Sequence, residues 1–294
     1  MKILAFLTAL LMLAAGSALA AARASIVVEG VQMPAWVEHA GGARAPLAIG
    51  MALNNKDRIY TGPDSRALLR LADGSLIKLG ENGLLALDDL GQSKINLKDV
   101  VTASLDVVSG AFRFTTQVIS KFRGERDVRV RISTVTAGIR GTDLWGKAGE
   151  TRDIVCLIEG DITVTRGNDA FTMNQPRTFY IAPKNEPPLP VAAVSQQQLD
   201  EWALETEIAA GAGALRLGGK WKLTLAEVNT QEDALALYDR LRDAGYPAEI
   251  RPLKSEAGQI YHVRIAHLTS RQEAEVLAGK LKGRLGIAAP KVSM

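Results

Sequence analysis

The sequence predicts two domains of different class, an all-β domain and, after it, a small α+β domain of the ferredoxin-like βαββαβ type. Three observations support this. Short apolar runs separated by turn residues fill residues 24–182, a linker with prolines and then glycines fills residues 183–216, and a strand–helix pattern occurs twice within residues 217–294. At 294 residues the chain is long enough for each domain to have its own core.

The first 20 residues have the pattern of a cleavable signal peptide. Lys2 precedes an apolar run over residues 3–15, and Ala18 and Ala20 supply the small residues that precede a cleavage site. The run of about 13 residues is shorter than the ~20 that a membrane-spanning helix needs. We therefore expect cleavage after Ala20 or within the next two alanines, and an exported, soluble, periplasmic product without a membrane span.

Hairpin signals are the clearest feature of the predicted β domain. Alternating apolar residues flank the Asp73-Gly74 turn, and a second pair of apolar runs flanks Gly160. Further short runs over residues 57–62, 107–112 and 136–144 recur at intervals that are typical of an all-β domain.

The β region resembles the FecR domain, a β module of the bacterial periplasm, at four landmarks in the family's order. These are a start around Asp57, the hairpin of residues 65–80, the Gly-Ile-Arg-Gly-Thr core of residues 138–142 and the hairpin of residues 155–164. The start departs from the family's Gly-Asp pair, because Lys56 precedes Asp57. The resemblance implies a sensor or interaction module with an envelope protein as its partner.

Two residues of the β region, Arg140 and Cys156, could have either a functional or a structural role. Arg140 is either an anion contact or an arginine that ties backbone carbonyls at a turn, and the neighbouring Gly141 favours the second interpretation. Cys156 is the one cysteine of the chain and lies in an apolar strand, so we expect a buried packing residue and no disulfide within the chain.

Residues 183–216 are predicted to connect the domains. Four prolines predict an extended linker: Pro183, Pro187, Pro188 and Pro190. Residues 196–209 predict a short helix, and we expect Trp202 to pack back onto the β domain rather than to anchor a partner. The following glycines predict a flexible hinge: Gly211, Gly213, Gly218 and Gly219. We therefore expect residues 217–294 to fold alone.

The strand–helix pattern of the last domain recurs about 40 residues further along the chain. Residues 221–226 and 261–266 alternate apolar and polar side chains, as strands with one buried face do. Apolar residues then recur at helical spacing in both copies: Ala234, Leu237 and Leu241, and Ala274, Leu277 and Leu281. With further strands at 248–253 and 288–292, this order places both helices on one face of a sheet and leaves the other face open.

Residues 217–294 resemble the SPOR domain, a peptidoglycan-binding module of the bacterial periplasm. The family's third strand reads approximately Tyr-Arg-Val-Arg-Val-Gly, and residues 261–266 follow it with His262 and Ala266 as departures. Thr224 stands where the family has a glutamine in the first strand. The resemblance implies binding to glycan strands of peptidoglycan from which the stem peptides have been removed. It leaves open whether the process served is cell division or signalling.

Strand parity places five polar residues on the open face of this sheet: Lys222, Thr224, Arg251, His262 and Arg264. Glycan strands without stem peptides expose lactyl carboxylates, hydroxyls and acetamido groups. Cationic side chains pair with such carboxylates, and a threonine hydroxyl hydrogen-bonds sugars. We therefore predict these five as the glycan-binding residues, with Arg264 at the centre. A merely solvated sheet face is the alternative interpretation.

The sequence contains no recognisable catalytic group, so we expect neither enzyme activity, nor a cofactor, nor a metal site. The three histidines have no cysteine or carboxylate at metal-ligand spacing, and no nucleophile elbow or phosphate-binding loop occurs. The net charge of +3 provides no polybasic field, and the open face lacks the aromatic residues that stack bases. Nucleic acid is therefore not expected as a partner.

The alternative function is that of a FecR-like periplasmic signal relay or regulator. Such relays have a cytoplasmic part before a single membrane span, whereas the apolar run here starts at residue 3. For that reason peptidoglycan binding is the favoured hypothesis.

Overall fold

The structure is a computed structural model and describes residues 26–95, 98–116, 124–255 and 258–294. The predicted signal peptide lies outside the described residues, so its cleavage stays a prediction. Within these ranges, no helix has the length and apolar character needed to cross a bilayer.

A β-rich N-terminal region is followed by a small C-terminal domain with helices and strands, as the sequence predicts. The first region contains β1 (Ile26–Gln32), β2 (Ala35–Glu38), β3 (Arg44–Pro46), β4 (Ala52–Leu53), β5 (Arg58–Thr61), β6 (Arg66–Leu71), β7 (Leu76–Leu79), β8 (Leu84–Ile95), β9 (Lys98–Thr115), β10 (Glu125–Ile132), β11 (Val135–Ala148), β12 (Arg152–Arg166), β13 (Asp169–Met173) and β14 (Thr178–Pro183). The connecting segment contains β15 (Ala192–Ala193), α1 (Gln196–Thr206) and β16 (Leu215–Arg216). The C-terminal domain contains β17 (Trp221–Val228), α2 (Gln231–Asp243), β18 (Glu249–Ser255), β19 (Gly258–Leu268), α3 (Arg271–Leu281) and β20 (Lys291–Ser293).

The β6–β7 hairpin shows how the first domain is held together. Its strands alternate in burial, and Leu69 pairs with Ile77 inside the core. At the predicted turn, the buried carboxylate of Asp73 accepts hydrogen bonds from the backbone N–H and the hydroxyl of Ser75, at 2.9 and 2.7 Å. The guanidinium of Arg126 donates to the same carboxylate from the start of β10, at 2.5 Å. The predicted hairpin is confirmed, and its turn is tied to a distant strand.

The Gly-Ile-Arg-Gly-Thr core lies where β11 pairs with β12 at a bulge. Gly160 of β12 has a φ of +89°, and a Cβ there would collide with the backbone oxygen of Gly141. Only glycine fits at this close approach. The hydroxyl of Thr142 donates to the carbonyl of Asp161 at 2.8 Å and closes the bulge. The side chain of Arg140 lies outside the described residues, so both interpretations of it stay predictions.

The linker helix α1 packs onto the β domain through aromatic side chains. The hydroxyl of Ser195 caps its first turn by accepting the N–H of Gln198. The ring of Trp202 stacks on the buried ring of Trp145, with centroids 4.6 Å apart, and meets Phe179 edge-on at 5.7 Å. The prediction that Trp202 packs back onto the β domain is confirmed.

The C-terminal sheet has the strand order β18–β19–β17–β20, with antiparallel neighbours throughout. The two helices cover one of its faces, because the buried strand residues share a core cluster with the apolar stripes of α2 and α3. Leu223 and Ile265 are examples from the two copies of the repeat, and both are fully buried. The opposite face carries polar side chains.

The glycine-rich segment before this domain is held in place by the carboxylate of Glu273 in α3. Its oxygens accept the backbone N–H groups of Gly211, Gly213 and Ala214 at 2.5–3.1 Å, and Glu273 itself is 7% exposed. The sequence predicts a flexible hinge here, whereas the structure fixes the backbone of residues 211–214. A sequence pattern cannot reveal a partner 60 residues away.

Strand β16 joins the two domains into one continuous hydrogen-bonded sheet. It pairs with β1 through Val31 and Leu215, and Leu215 pairs in turn with Leu268 of β19. A second contact lies nearby, where the indole N–H of Trp36 donates to the carbonyl of Asp243 at 3.2 Å. The domain boundaries and the independent folding of residues 217–294 stay predictions, since side chains from both domains share this junction.

Candidate glycan-binding face

The five predicted site residues lie together on the face of the C-terminal sheet that the helices leave uncovered. Arg264 of β19 pairs with Thr224 of β17, and Arg251 of β18 pairs with His262 of β19. Lys222 lies one row further along β17, opposite Ser293 of β20. Register therefore brings all five onto one surface; whether they bind a ligand stays a prediction.

Three further charged residues, which are not among the five predicted ones, complete this surface. Glu249 pairs with Arg264 across β18 and β19, Glu227 pairs with His262, and Lys291 pairs with Thr224. We call the resulting surface the open face, and its residues are Lys222, Thr224, Glu227, Glu249, Arg251, His262, Arg264 and Lys291. Parity alone would have found Glu249, because it stands two positions before Arg251 on the same strand.

The centre of the open face is an arginine–glutamate pair. Arg264 donates its Nε–H to Glu249 Oε1 at 2.6 Å, and an Nη of Arg251 lies 3.2 Å from the other oxygen of the same carboxylate. Burial acts to raise the pKa of Glu249, but the hydrogen bonds and charges of the two arginines outweigh it and lower that pKa. Glu249 is therefore ionised at neutral pH and neutralises part of the positive charge.

A second ion pair, between Lys291 and Glu227, lies on the same face as the pair of Arg264 and Glu249. Lys291 donates to Glu227 at 2.9 Å, and Nε2 of His262 lies 3.9 Å from the same carboxylate. The hydrogen bond from Lys291 lowers the pKa of Glu227, aided by the lysine charge and opposed by burial. Glu227 and Lys291 are 38% and 66% exposed, so solvent weakens this pair and a ligand can reach both groups.

Thr224 lies between Arg264 and Lys291 but is only 9% exposed. The strand is irregular here, because the β17–β19 register shifts between Thr224 and Ala226. A ligand would therefore have to sit deep between the two charged pairs to reach its hydroxyl. It offers less reach than the glutamine that the SPOR family has at this position.

A shallow depression of about 490 Å³ opens at the end of the face that carries Lys222. Its lining includes Lys220, Lys222, Arg251 and Arg264 together with Glu249. In the described part of the chain, Lys220 and Lys222 make no ion pair, so their charges are available to a ligand. The two aromatic residues at the strand ends, Trp221 and Tyr261, pack against the core instead.

The open face thus presents four permanent cations against two carboxylates, with hydroxyl and imidazole groups between them. Such a surface suits an extended polymer that carries carboxylates and hydroxyls, because charge-assisted hydrogen bonds fix the first and neutral hydrogen bonds the second. It does not suit nucleobases, which need exposed aromatic rings. The described residues also contain no cluster of histidine, cysteine or carboxylate side chains that would hold a metal ion.

Comparison with protein families identifies both regions of the chain. The SPOR domain model matches residues 217–290, and the FecR protein model matches residues 57–163. The chain therefore combines a FecR region with a C-terminal SPOR domain, as the sequence motifs predict. A comparison with curated proteins gives no match.

Among solved structures, two crystal structures of a proposed anti-sigma factor from Parabacteroides distasonis ATCC 8503 are similar to this chain. Each is 13% identical in sequence and covers 72% of this chain and 99% of its own chain. The TM-scores are 0.40 and 0.38.

Proposed function

We propose that this protein is an exported, non-enzymatic binding protein of the cell envelope, which attaches to peptidoglycan glycan strands through its open face. The observation that carries the proposal is that the SPOR match covers residues 217–290, which supply every residue of the open face except Lys291. SPOR and FecR regions are typical of envelope proteins, which supports a periplasmic location. The strand order β18–β19–β17–β20 supports the ferredoxin-like arrangement for the C-terminal domain.

The chemistry of the open face matches glycan strands without stem peptides. Removal of the peptide leaves a free lactyl carboxylate on each muramic acid, and the guanidinium groups are its natural partners. Glu249 accepts the Nε–H of Arg264, which orients the guanidinium plane. Among the described residues neither terminal nitrogen of Arg264 has an acidic partner, so both can donate to the ligand. Lys222 adds a mobile point charge at the depression.

Sedimentation of the purified protein with peptidoglycan sacculi tests this proposal. Sacculi treated with an amidase, which removes the stem peptides, should pellet the wild type more strongly than untreated sacculi. Arg264→Ala and Lys222→Ala should each weaken binding about tenfold or more, since one charge-assisted hydrogen bond contributes ~1.5–3 kcal/mol.

Arg271→Ala is the matched control, because Arg271 lies on α3, is 72% exposed and, in the part of the chain that the structure describes, forms an ion pair only with Glu275. This variant should pellet as the wild type does. If the Arg264→Ala/Lys222→Ala double variant keeps full affinity while folded, the binding site lies elsewhere. A wild type that does not pellet at all removes the proposed function.

The FecR match over residues 57–163 favours a second role for the same protein, that of a periplasmic regulator. In this role the β domain would report an envelope signal to a partner protein. Deletion of the gene should then change the transcription of a defined set of genes. Expression of the Arg264→Ala/Lys222→Ala double variant in the deletion strain should return the transcription of these genes to the wild-type level. Unchanged transcription in the deletion strain argues against the regulatory role and leaves the attachment role intact.

A further inference from the structure

A small notch opens at the edge of the open face, where β17 extends beyond the end of β20. β20 pairs with β17 only from Lys222 to Thr224, whereas β17 continues to Val228. Among the described residues, no strand pairs with this last part of β17 on the side away from β19, so the backbone groups that point outward there are open to a ligand. The notch has a volume of about 290 Å³, and we call it the Thr224 notch.

The lining of the Thr224 notch combines small residues with polar ones. The small residues leave room for a compact apolar group: Ala226, Gly286, Ala288 and Ala289. The polar side chains are those of Thr224, Glu227 and Lys291. Lys291 donates to Glu227 at 2.9 Å, so the two charges offset each other and the notch offers no unpaired cation.

The hydroxyl of Thr224 lacks a partner, although the residue is largely buried. Thr224 is 9% exposed, and no group within the described residues hydrogen-bonds its side chain. Buried polar groups are normally hydrogen-bonded, because an unpaired one costs free energy on folding. A ligand in the notch would supply the missing partner.

The ligand group that fits this lining is an acetamido group. It is an amide, so its N–H and C=O can pair with a threonine hydroxyl, with a carboxylate or with the free backbone groups of a strand edge. It also ends in a methyl group, which gains from contact with alanine side chains. A carboxylate fits less well, because Glu227 would repel it and Lys291 is already paired.

We propose that the Thr224 notch binds the acetamido group of an amino sugar, with the Thr224 hydroxyl as its hydrogen-bond partner. This inference rests on the proposed function, because it takes the glycan strand of the open face as the ligand. It gives two chemical groups of that strand separate places on the protein. Carboxylates lie at Lys222 and Arg264, and an acetamido group lies at Thr224.

The test compares amidase-treated sacculi that keep their acetyl groups with the same sacculi after chemical de-N-acetylation. The test variant is Thr224→Val, which keeps the β-branched shape and removes the hydroxyl. In sedimentation, its affinity for acetylated sacculi should fall about two- to tenfold, as expected for the loss of one hydrogen bond. Its affinity for de-N-acetylated sacculi should equal that of the wild type. The two proteins have the same charge, so the effect of the new ammonium groups on the glycan cancels between them.

Three further variants control this comparison. Thr224→Ser keeps the hydroxyl and should bind acetylated sacculi more tightly than Thr224→Val does. Arg264→Ala should weaken binding to both kinds of sacculi by the same factor, because its guanidinium pairs with a carboxylate. Thr172→Val, at an exposed position of β13, should bind as the wild type does. The thermal stability of Thr224→Val should equal or exceed that of the wild type, because valine leaves no unpaired hydroxyl at this position.

The outcomes separate the acetamido contact from attachment itself. Equal binding of acetylated sacculi by folded Thr224→Val and wild type overturns the notch and leaves the proposed function standing. An equal loss on both kinds of sacculi assigns the hydroxyl to another group of the sugar and overturns the acetamido assignment. If the wild type pellets with neither kind, the proposed function fails and the acetamido contact fails with it.

Discussion

Two arginine–carboxylate pairs, one in each domain, differ in what they leave for a ligand. In the β domain, Arg113 donates from Nε and Nη2 to the two oxygens of Asp143 at 2.8 and 2.6 Å, and its Nη1 lies 3.7 Å from Glu207. In the C-terminal domain, Arg264 donates to Glu249 from Nε alone.

The exposure of the two arginines is nearly equal, at 21% and 23%. What distinguishes them is the use of their donors: Arg113 has acidic partners on all three nitrogens, whereas the two terminal nitrogens of Arg264 have no acidic partner among the described residues. Hydrogen bonding to Asp143 raises the pKa of Arg113 against the effect of burial. The comparison indicates a structural role for Arg113, and it supports the binding role that we propose for Arg264.

The largest effect is expected from Arg113→Ala, because it leaves the Asp143 carboxylate, itself 15% exposed, without its cation. Loss of one partner of a buried ion pair costs about 3–5 kcal/mol, and the partial exposure of this pair favours the lower end. Urea unfolding should show this loss in the free energy of unfolding, while the folded variant should still pellet with sacculi.

Arg131→Ala is the control for this measurement, because Arg131 is 55% exposed and pairs with Asp106 at the surface. Its cost should stay below about 1 kcal/mol. If Arg113→Ala reduces glycan binding without loss of stability, the division into a structural and a binding arginine is wrong.

A smaller effect is expected from Glu273→Ala, which tests how the two regions are joined. The substitution leaves the N–H groups of Gly211, Gly213 and Ala214 without an acceptor, so we expect a loss of about 2–3 kcal/mol. Limited proteolysis should then cut faster within residues 209–219. Glu275→Ala on the same helix removes only an exposed pair with Arg271 and should change neither property. Equal cleavage rates of the two variants would show that Glu273 does not hold the linker.

The sequence predicted the elements of the C-terminal domain better than the linkage between domains. Alternation in residues 221–224 and 261–266 predicts which side chains face the helices, because parity is a local property. It fails at Ala226, because the register shift after Thr224 pairs Ala226 with the buried Val263. The roles of Glu273 and Trp36 depend on backbone groups at residues 211–214 and at Asp243, which only the folded chain brings near them. For this reason a segment rich in glycine looked flexible in the sequence and is ordered in the structure.

In the candidate site, too, local patterns are predictable from the sequence and contacts between distant residues are not. Parity placed Lys222 and Arg264 on one surface, but it does not say how many donors of an arginine are already used. The pairing of Arg264 with Glu249 and of Lys291 with Glu227 follows from register between strands, and register depends on bulges such as that at Thr224.

The smallest effect is expected from Glu249→Gln, which changes the charge beside Arg264 and keeps an oxygen that can accept its Nε–H. Loss of one negative charge on the open face should strengthen binding to an anionic glycan strand by about two- to fivefold, since pairs at this exposure contribute less than about 1 kcal/mol.

Because the pKa of Glu249 is lower in the folded protein than its ordinary value of 4.5, ionised Glu249 stabilises the fold above that pH. This stabilisation is lost as the pH falls from about 4.5 through the folded pKa. The variant should therefore show a shallower loss of thermal stability between neutral pH and pH 3 than the wild type, measured alongside Glu275→Gln as a surface control. Weaker binding by Glu249→Gln would mean that the full carboxylate is needed to orient Arg264, and an unchanged pH dependence would mean that the pair with Arg264 does not stabilise the folded domain.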